Sequence, residues 1–283
     1  MDLRGFALAK KRRQKLVMLT AYDAPTAELL EAQGVDIILV GDSVGMVLLG
    51  YESTVPVTMD EMIHHAKAVR RGAKKTFLIG DLPLKGVEKG PPQALRSARR
   101  LMEEGGCQAV KLEWNKRCLE TTRLLTRHHI PVMGHIGLTP QTAAGQGGFR
   151  VRGQESGKAM ELLKQALAFE KAGAFSLLLE CVPSPVAKAV TGRLKGPTFG
   201  IGAGVDCDGQ VLVFQDVVGV FKKFKPRFVR AYAQVHTVMQ KAVARFVKDV
   251  RQKNFPRRKE SFGMNTREEQ RFRNELKSFI SKL

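Results

Sequence analysis

Residues 36–42 read Asp36-Ile-Ile-Leu-Val-Gly-Asp42, an unbroken apolar run that ends in glycine and a carboxylate. A strand with one wet face alternates apolar and polar residues, whereas a strand covered on both faces does not, so this run belongs inside a parallel sheet. The same plan recurs at residues 17–23, 76–82, 109–113, 131–137, 175–182, 197–204 and 211–216. Between most successive runs lies a helical pattern, at 24–33, 59–71, 91–104, 116–128, 157–172 and 185–194. Strands alternating in this way with helices make parallel strands joined by crossover helices. An open doubly wound sheet has the same alternation, but no G-x-G-x-x-G follows the first run, and a count of eight strands predicts a closed (β/α)8 TIM barrel.

Length and composition agree with one soluble domain: 283 residues, 43% of them apolar, can bury a sizeable core. No apolar run reaches the roughly 20 residues that cross a membrane, and the N-terminus carries charge where a secretory signal needs an apolar segment, so the expected location is the cytoplasm. Cys107, Cys118, Cys181 and Cys207 are widely spaced, form no C-x-x-C pair, and read as reduced thiols. The formal net charge of +20 gathers toward the end, where residues from Lys222 onward hold 18 Lys or Arg against 5 Asp or Glu. Without a helix-turn-helix, zinc-finger or RNA-binding signature, this charge reads as a solvated basic surface rather than a nucleic-acid site.

In a barrel the βα loops meet at the C-terminal ends of the strands, so polar residues there are candidates for chemistry. The second strand ends in Gly-Asp42-Ser43, the third in Gly-Asp81, and the fourth reads Val-Lys111-Leu-Glu113. Adjacent strands lie about 4.8 Å apart, so Asp42 and Asp81 can reach one cation, while Lys111 and Glu113 share a face. An oxygen-lined site with few protein ligands and room for water suits Mg2+ better than calcium or zinc. Either aspartate alone could cap a helix; two Gly-Asp strand ends beside Lys-x-Glu argue against that reading. Glu180 ends the apolar sixth strand, where partial desolvation suits a carboxylate to acid or base work, although pairing with Lys111 or an arginine is the alternative. His135, in Gly-His-Ile-Gly at the end of the fifth strand, is a possible site residue or a hydrogen-bonding member of the interior. Gly200-Ile-Gly-Ala-Gly204 either binds phosphate, as barrels often do there, or only permits close backbone approach.

These residues stand in a longer pattern. Thr20-Ala-Tyr-Asp23 followed by VGDSVGMVLLGYESTVPVTMDEMIHHAKAVRRG resembles the N-terminal half of ketopantoate hydroxymethyltransferases, and GDLP, AVKLE, PVMGHIGLTPQ, GGFRV, AFSLLLECVP, PTFGIGAG, DGQVLV and NFP follow in the same order. The resemblance spans about residues 15 to 262 and implies a barrel of the phosphoenolpyruvate/pyruvate-type superfamily. The implied reaction converts 3-methyl-2-oxobutanoate, 5,10-methylenetetrahydrofolate and water to 2-dehydropantoate and tetrahydrofolate, in pantothenate synthesis. By the same resemblance Asp42 and Asp81 bind Mg2+, Glu113 supports the metal, Ser43 and Lys111 hold the oxo acid, and Glu180 is the acid–base residue. It also implies a homo-oligomer, often a decamer in the family.

The chain departs from the family at Leu84-Lys-Gly-Val87, Trp114-Asn115, Val151-Arg-Gly-Gln154 and Gln215-Asp216, all in loops expected at the barrel mouth, which puts the folate pocket in question. The expected organisation is a single barrel domain over 1–262 and a basic amphipathic helix over 263–283, with Phe272, Leu276, Phe279, Ile280 and Leu283 on its apolar face. Two rival functions stand beside this one. A related barrel lyase or transferase would share the metal-bound oxo acid, but the VGDSVGM and GHIGLTPQ stretches favour the hydroxymethyltransferase. An inactive basic scaffold would have no reason to keep Asp42, Asp81, Lys111, Glu113 and Glu180 together.

Overall fold

The computed structural model describes residues 2–143, 148–224 and 226–283. Of the quoted motifs, only Gly147 of GGFRV lies outside them. The chain divides into two compact units, Met1–Ala233 and Gln234–Leu283. The second unit thus begins ahead of the boundary at 262 read from the sequence, because the basic helical stretch before Pro256 belongs to it.

In the first unit eight parallel strands close on themselves in chain order. They are β1 Leu16–Thr20, β2 Ile37–Val40, β3 Phe77–Asp81, β4 Ala109–Glu113, β5 Val132–Gly137, β6 Ser176–Glu180, β7 Thr198–Ile201 and β8 Gly209–Leu212. Around them lie α1 Leu3–Lys11, α2 Ala24–Ala32, α3 Val44–Val47, α4 Met59–Gly72, α5 Leu84–Val87, α6 Pro91–Glu103, α7 Cys118–Arg127, α8 Ser156–Lys171, α9 Ser184–Thr191 and α10 Phe214–Val217. The second unit holds α11 Val235–Arg251 and α12 Thr266–Ile280, neither of which buries a residue.

Local chemistry sets the boundaries. Thr58 and Glu61 form a reciprocal capping box that starts α4. The first strand stops at Thr20 rather than running to residue 23, because Asp23 leaves the ladder to cap α2, accepting the Thr26 amide at 2.8 Å. The last expected strand, 211–216, is likewise shifted: β1 pairs with Gly209–Leu212, and the chain beyond turns into α10. A side chain at Gly209 would lie 2.5 Å from the Phe199 ring, so glycine there lets β8 close against the filled barrel interior.

Two apolar layers hold the barrel. Every second strand residue points inward, giving an interior that includes Leu16, Met18, Ile37, Ile79, Met133 and Phe199; the opposite faces pack beneath the helices. The N-terminal helix α1, not foreseen from the sequence, drives the fully buried Phe6 into this interior, edge-on to Phe77 at 5.0 Å. Lys10 pins the helix through an ion pair with Asp208 at 2.8 Å. One end of the barrel is therefore sealed with hydrocarbon. All four cysteines are free and buried.

Candidate active site

At the other end, strand register brings charge against charge. Asp81 stands opposite Lys111 across β3 and β4, and Glu113 opposite His135 across β4 and β5. Lys111 Nζ lies 2.9 Å from Asp81 Oδ2 and 3.8 Å from Glu113 Oε1. Asp42 follows β2, and its amide donates to Asp81 Oδ2 at 3.2 Å. His135 Nδ1 lies 3.3 Å from Lys111 Nζ and 3.4 Å from Glu113 Oε1. Its Nε2 comes within 3.2 Å of Glu180 Oε2, though out of line for a hydrogen bond. Asp42, Ser43, Asp81, Lys111, Glu113, His135 and Glu180 all line one cavity of about 420 Å³.

Burial decides the electrostatics. Asp42 is pushed well above the ordinary carboxylate range by desolvation and then by the charge of Asp81, with Lys111 and a hydrogen bond from Gln141 only partly opposing. Asp81 moves the same way, again chiefly through burial. Desolvation opposes the charge on Lys111, but Asp81, Glu113 and Asp42 together outweigh it and hold the ammonium protonated. Perturbation of this kind at a strand-end cavity makes the cluster a candidate functional site.

Two participants were not foreseen. Gln141 donates its side-chain amide to Asp42 Oδ2 at 2.8 Å and to the Leu82 carbonyl at 2.9 Å, while its backbone N–H reaches Glu113 Oε2 at 3.1 Å. The buried Tyr22 shares a hydrogen bond of 2.8 Å with Ser43 Oγ. Both lie inside quoted motifs, but beyond the strand ends, where the search for charge stopped. The glycines of 200–204 follow the close-approach reading: a Cβ at Gly202 would lie 2.8 Å from Phe228 and one at Gly204 2.6 Å from Ser184.

The departures at 84–87, 114–115, 152–154 and 215 do not line this cavity. Leu84–Val87 is a short helix that buries Gly86 and Val87. Trp114 packs edge-on against Phe169 at 5.5 Å and borders a separate groove with Arg152 and Gln154. Gln215 is buried, whereas the neighbouring Asp216 does face the cavity.

The donor set fits a hard cation. Asp81 Oδ1 and Glu113 Oε1 are buried without a hydrogen bond, an arrangement that costs free energy unless something positive is supplied. Among the described residues no group of three or more His, Cys, Asp or Glu is arranged to hold a metal ion by itself.

A closed parallel barrel with carboxylates and a lysine at the C-terminal strand ends is the architecture of a (β/α)8 barrel with a polar strand-end cavity. In fold the chain is similar to 2,3-dimethylmalate lyase, a protein of the PEP mutase/isocitrate lyase superfamily, with a TM-score of 0.57 and 15% identity over 88% of this chain and 87% of the other. The chain belongs to the ketopantoate hydroxymethyltransferase family, whose sequence model matches residues 1–258. It is 54% identical over 249 residues to a 3-methyl-2-oxobutanoate hydroxymethyltransferase of Thermus thermophilus, covering 88% of this chain and 95% of the relative. It is 50% identical over 264 residues to that of Oleidesulfovibrio alaskensis, covering 93% and 91%.

Proposed function

We propose that this chain transfers a hydroxymethyl group from 5,10-methylenetetrahydrofolate to 3-methyl-2-oxobutanoate, giving 2-dehydropantoate for pantothenate synthesis. The observation that carries this reading is the single cavity in which Glu180 faces a cluster of Asp42, Asp81, Lys111 and Glu113. Asp42 and Asp81, supported by Glu113, would hold Mg2+, which supplies positive charge opposite the oxygen that becomes negative as the enolate forms.

The protein groups supply the rest. Glu180, at the cavity edge with its side chain 16% exposed, takes the proton from C3 of the oxo acid. His135 stands between Glu180 on one side and Lys111 on the other, bridging the base and the cation cluster. Lys111 neutralises the substrate's negative charge, and Ser43, itself held by Tyr22, donates a hydrogen bond to it. The C3 carbanion equivalent then attacks the carrier's methylene carbon. A new C–C bond replaces C3–H, both carrier C–N bonds break, water supplies the hydroxyl oxygen, and the carrier nitrogens take up protons. No protein nucleophile is needed: the thiol of Cys181, next to the base, is pushed up to about 12 by burial and then by Glu180, and stays protonated.

The reading implies a cytoplasmic homo-oligomer; no described helix is long and apolar enough to cross a membrane. Proton-exchange NMR of 3-methyl-2-oxobutanoate in D2O tests it. Mg2+-dependent loss of the C3 proton, followed by product when the carrier is added, is expected. Exchange without product would limit the protein to enolisation, and no exchange would reject the proposed substrate.

A further inference from the structure

The floor of the cavity accounts for the oxo acid, but about 420 Å³ exceeds what so small a molecule fills. The rest of the wall differs in character. Met46, Phe149, Phe221, Phe224 and Phe228 line it beside Arg150 and Arg227, a largely aromatic surface suited to a flat ring. One anionic group joins them. Asp216, in the helical turn α10 just past β8, faces the same cavity.

The surroundings of Asp216 differ from those of Asp42 and Asp81. Its backbone is used, with the N–H donating to the Val213 carbonyl at 3.0 Å. Its side chain has no hydrogen bond or ion pair among the described residues, and burial alone pushes its carboxyl upward. α10 is anchored independently, since the Phe214 amide donates to Thr20 Oγ1 at 3.1 Å, so the carboxylate is not needed to hold the turn. A half-buried carboxylate without a hydrogen-bond donor costs free energy unless a ligand brings donors to it.

The proposed co-substrate has such an edge. The pteridine ring of a folate presents a 2-amino group and an adjacent ring N–H side by side, and two parallel N–H donors match the two oxygens of a carboxylate. We propose that Asp216 recognises the one-carbon carrier by accepting hydrogen bonds from the amino and N–H edge of its pteridine, while the phenylalanines of the mouth cover the ring. This rests on the hydroxymethyl transfer proposed above and assigns the site of its second substrate. Asp216 is a specificity residue for the carrier and takes no part in removing the C3 proton.

Asp216→Asn and Asp216→Ala in the full chain separate these roles. With Mg2+ present, C3 exchange of 3-methyl-2-oxobutanoate should stay within about twofold of wild type, because this step needs no folate. Tetrahydrofolate affinity, by calorimetry, should fall about 10- to 100-fold, the weight of hydrogen bonds to a charged group. Wild type should also bind 2-desamino-tetrahydrofolate more weakly than tetrahydrofolate, and Asp216→Ala should lose that discrimination. Unchanged tetrahydrofolate affinity in both variants, or discrimination that survives Asp216→Ala, would overturn the proposal and leave the transferase reading intact. Loss of exchange in a variant that melts like wild type would overturn it by moving Asp216 into the oxo-acid site. Wild-type protein that neither exchanges the oxo acid nor binds tetrahydrofolate would overturn both readings.

Discussion

Carboxylates at the two ends of this barrel are shifted in opposite directions. At the sealed end Glu31, in the last turn of α2, accepts the amides of Lys75 and Thr76 at 2.8 and 2.7 Å where the chain enters β3. Although partial burial raises its carboxyl, those backbone donors prevail and hold it below the ordinary value. At the open end Asp42 and Asp81 are fully buried, near one another and near Glu113, and are pushed up. One end uses carboxylates to satisfy backbone and fix the fold, while the other gathers them at a cost to stability that a positive ligand would relieve. Changes at the sealed end should therefore alter stability and spare rates, with the reverse at the open end.

The largest expected effect is on rate. Glu180→Gln removes the proposed base and keeps its size, so C3 exchange should fall about 10²- to 10⁴-fold, with the melting temperature nearly unchanged. Exchange at the wild-type rate would take Glu180 out of the reaction. Phe6→Ala is the counterpart at the sealed end. A fully buried ring removed from the barrel interior should cost about 3–5 kcal/mol by urea denaturation, with kcat unaltered in the protein that remains folded. A fall in kcat with little loss of stability would break the division between the ends.

Asp42→Asn sharpens the same contrast. Losing a fully buried, hydrogen-bonded carboxylate ordinarily destabilises, but a neutral amide here still accepts from Gln141 and no longer repels Asp81. The metal-free variant should stay within about 1 kcal/mol of wild type, while Mg2+-dependent binding of the oxo acid, followed by calorimetry, is lost. A drop of several kcal/mol would instead make Asp42 a structural residue.

What the sequence disclosed follows the same line. Strands covered on both faces are unbroken apolar runs, so eight were countable, and the polar residues at or just past their ends include Asp42, Ser43, Asp81, Lys111, Glu113, His135 and Glu180, which all line the cavity. Two kinds of feature were not legible. Where a strand hands over to a cap, as at Asp23, local hydrogen bonding ends the strand before the pattern does. Contacts distant in sequence leave no periodic trace: Gln141 reaches Asp42 across 99 positions, and α1 offers only Phe6 and Ala9 as buried residues within a basic segment.

The smallest effect tests the sealed end by pH. Glu31→Gln retains size and one acceptor but loses the charge that the Lys75 and Thr76 amides meet. After allowance for solvent screening at a partly exposed group, the cost at pH 7 is about 1 kcal/mol. Because the folded Glu31 titrates below its ordinary value, its contribution is complete above the unfolded value and fades as pH falls through the folded one. The gap between wild type and variant in urea denaturation should therefore hold from pH 7 down to about 5 and narrow steadily as pH falls below the ordinary glutamate value of about 4.3. A gap that persisted undiminished at pH 3 would mean that shape and not charge makes Glu31 useful, and the opposition between the two ends would then rest on packing alone.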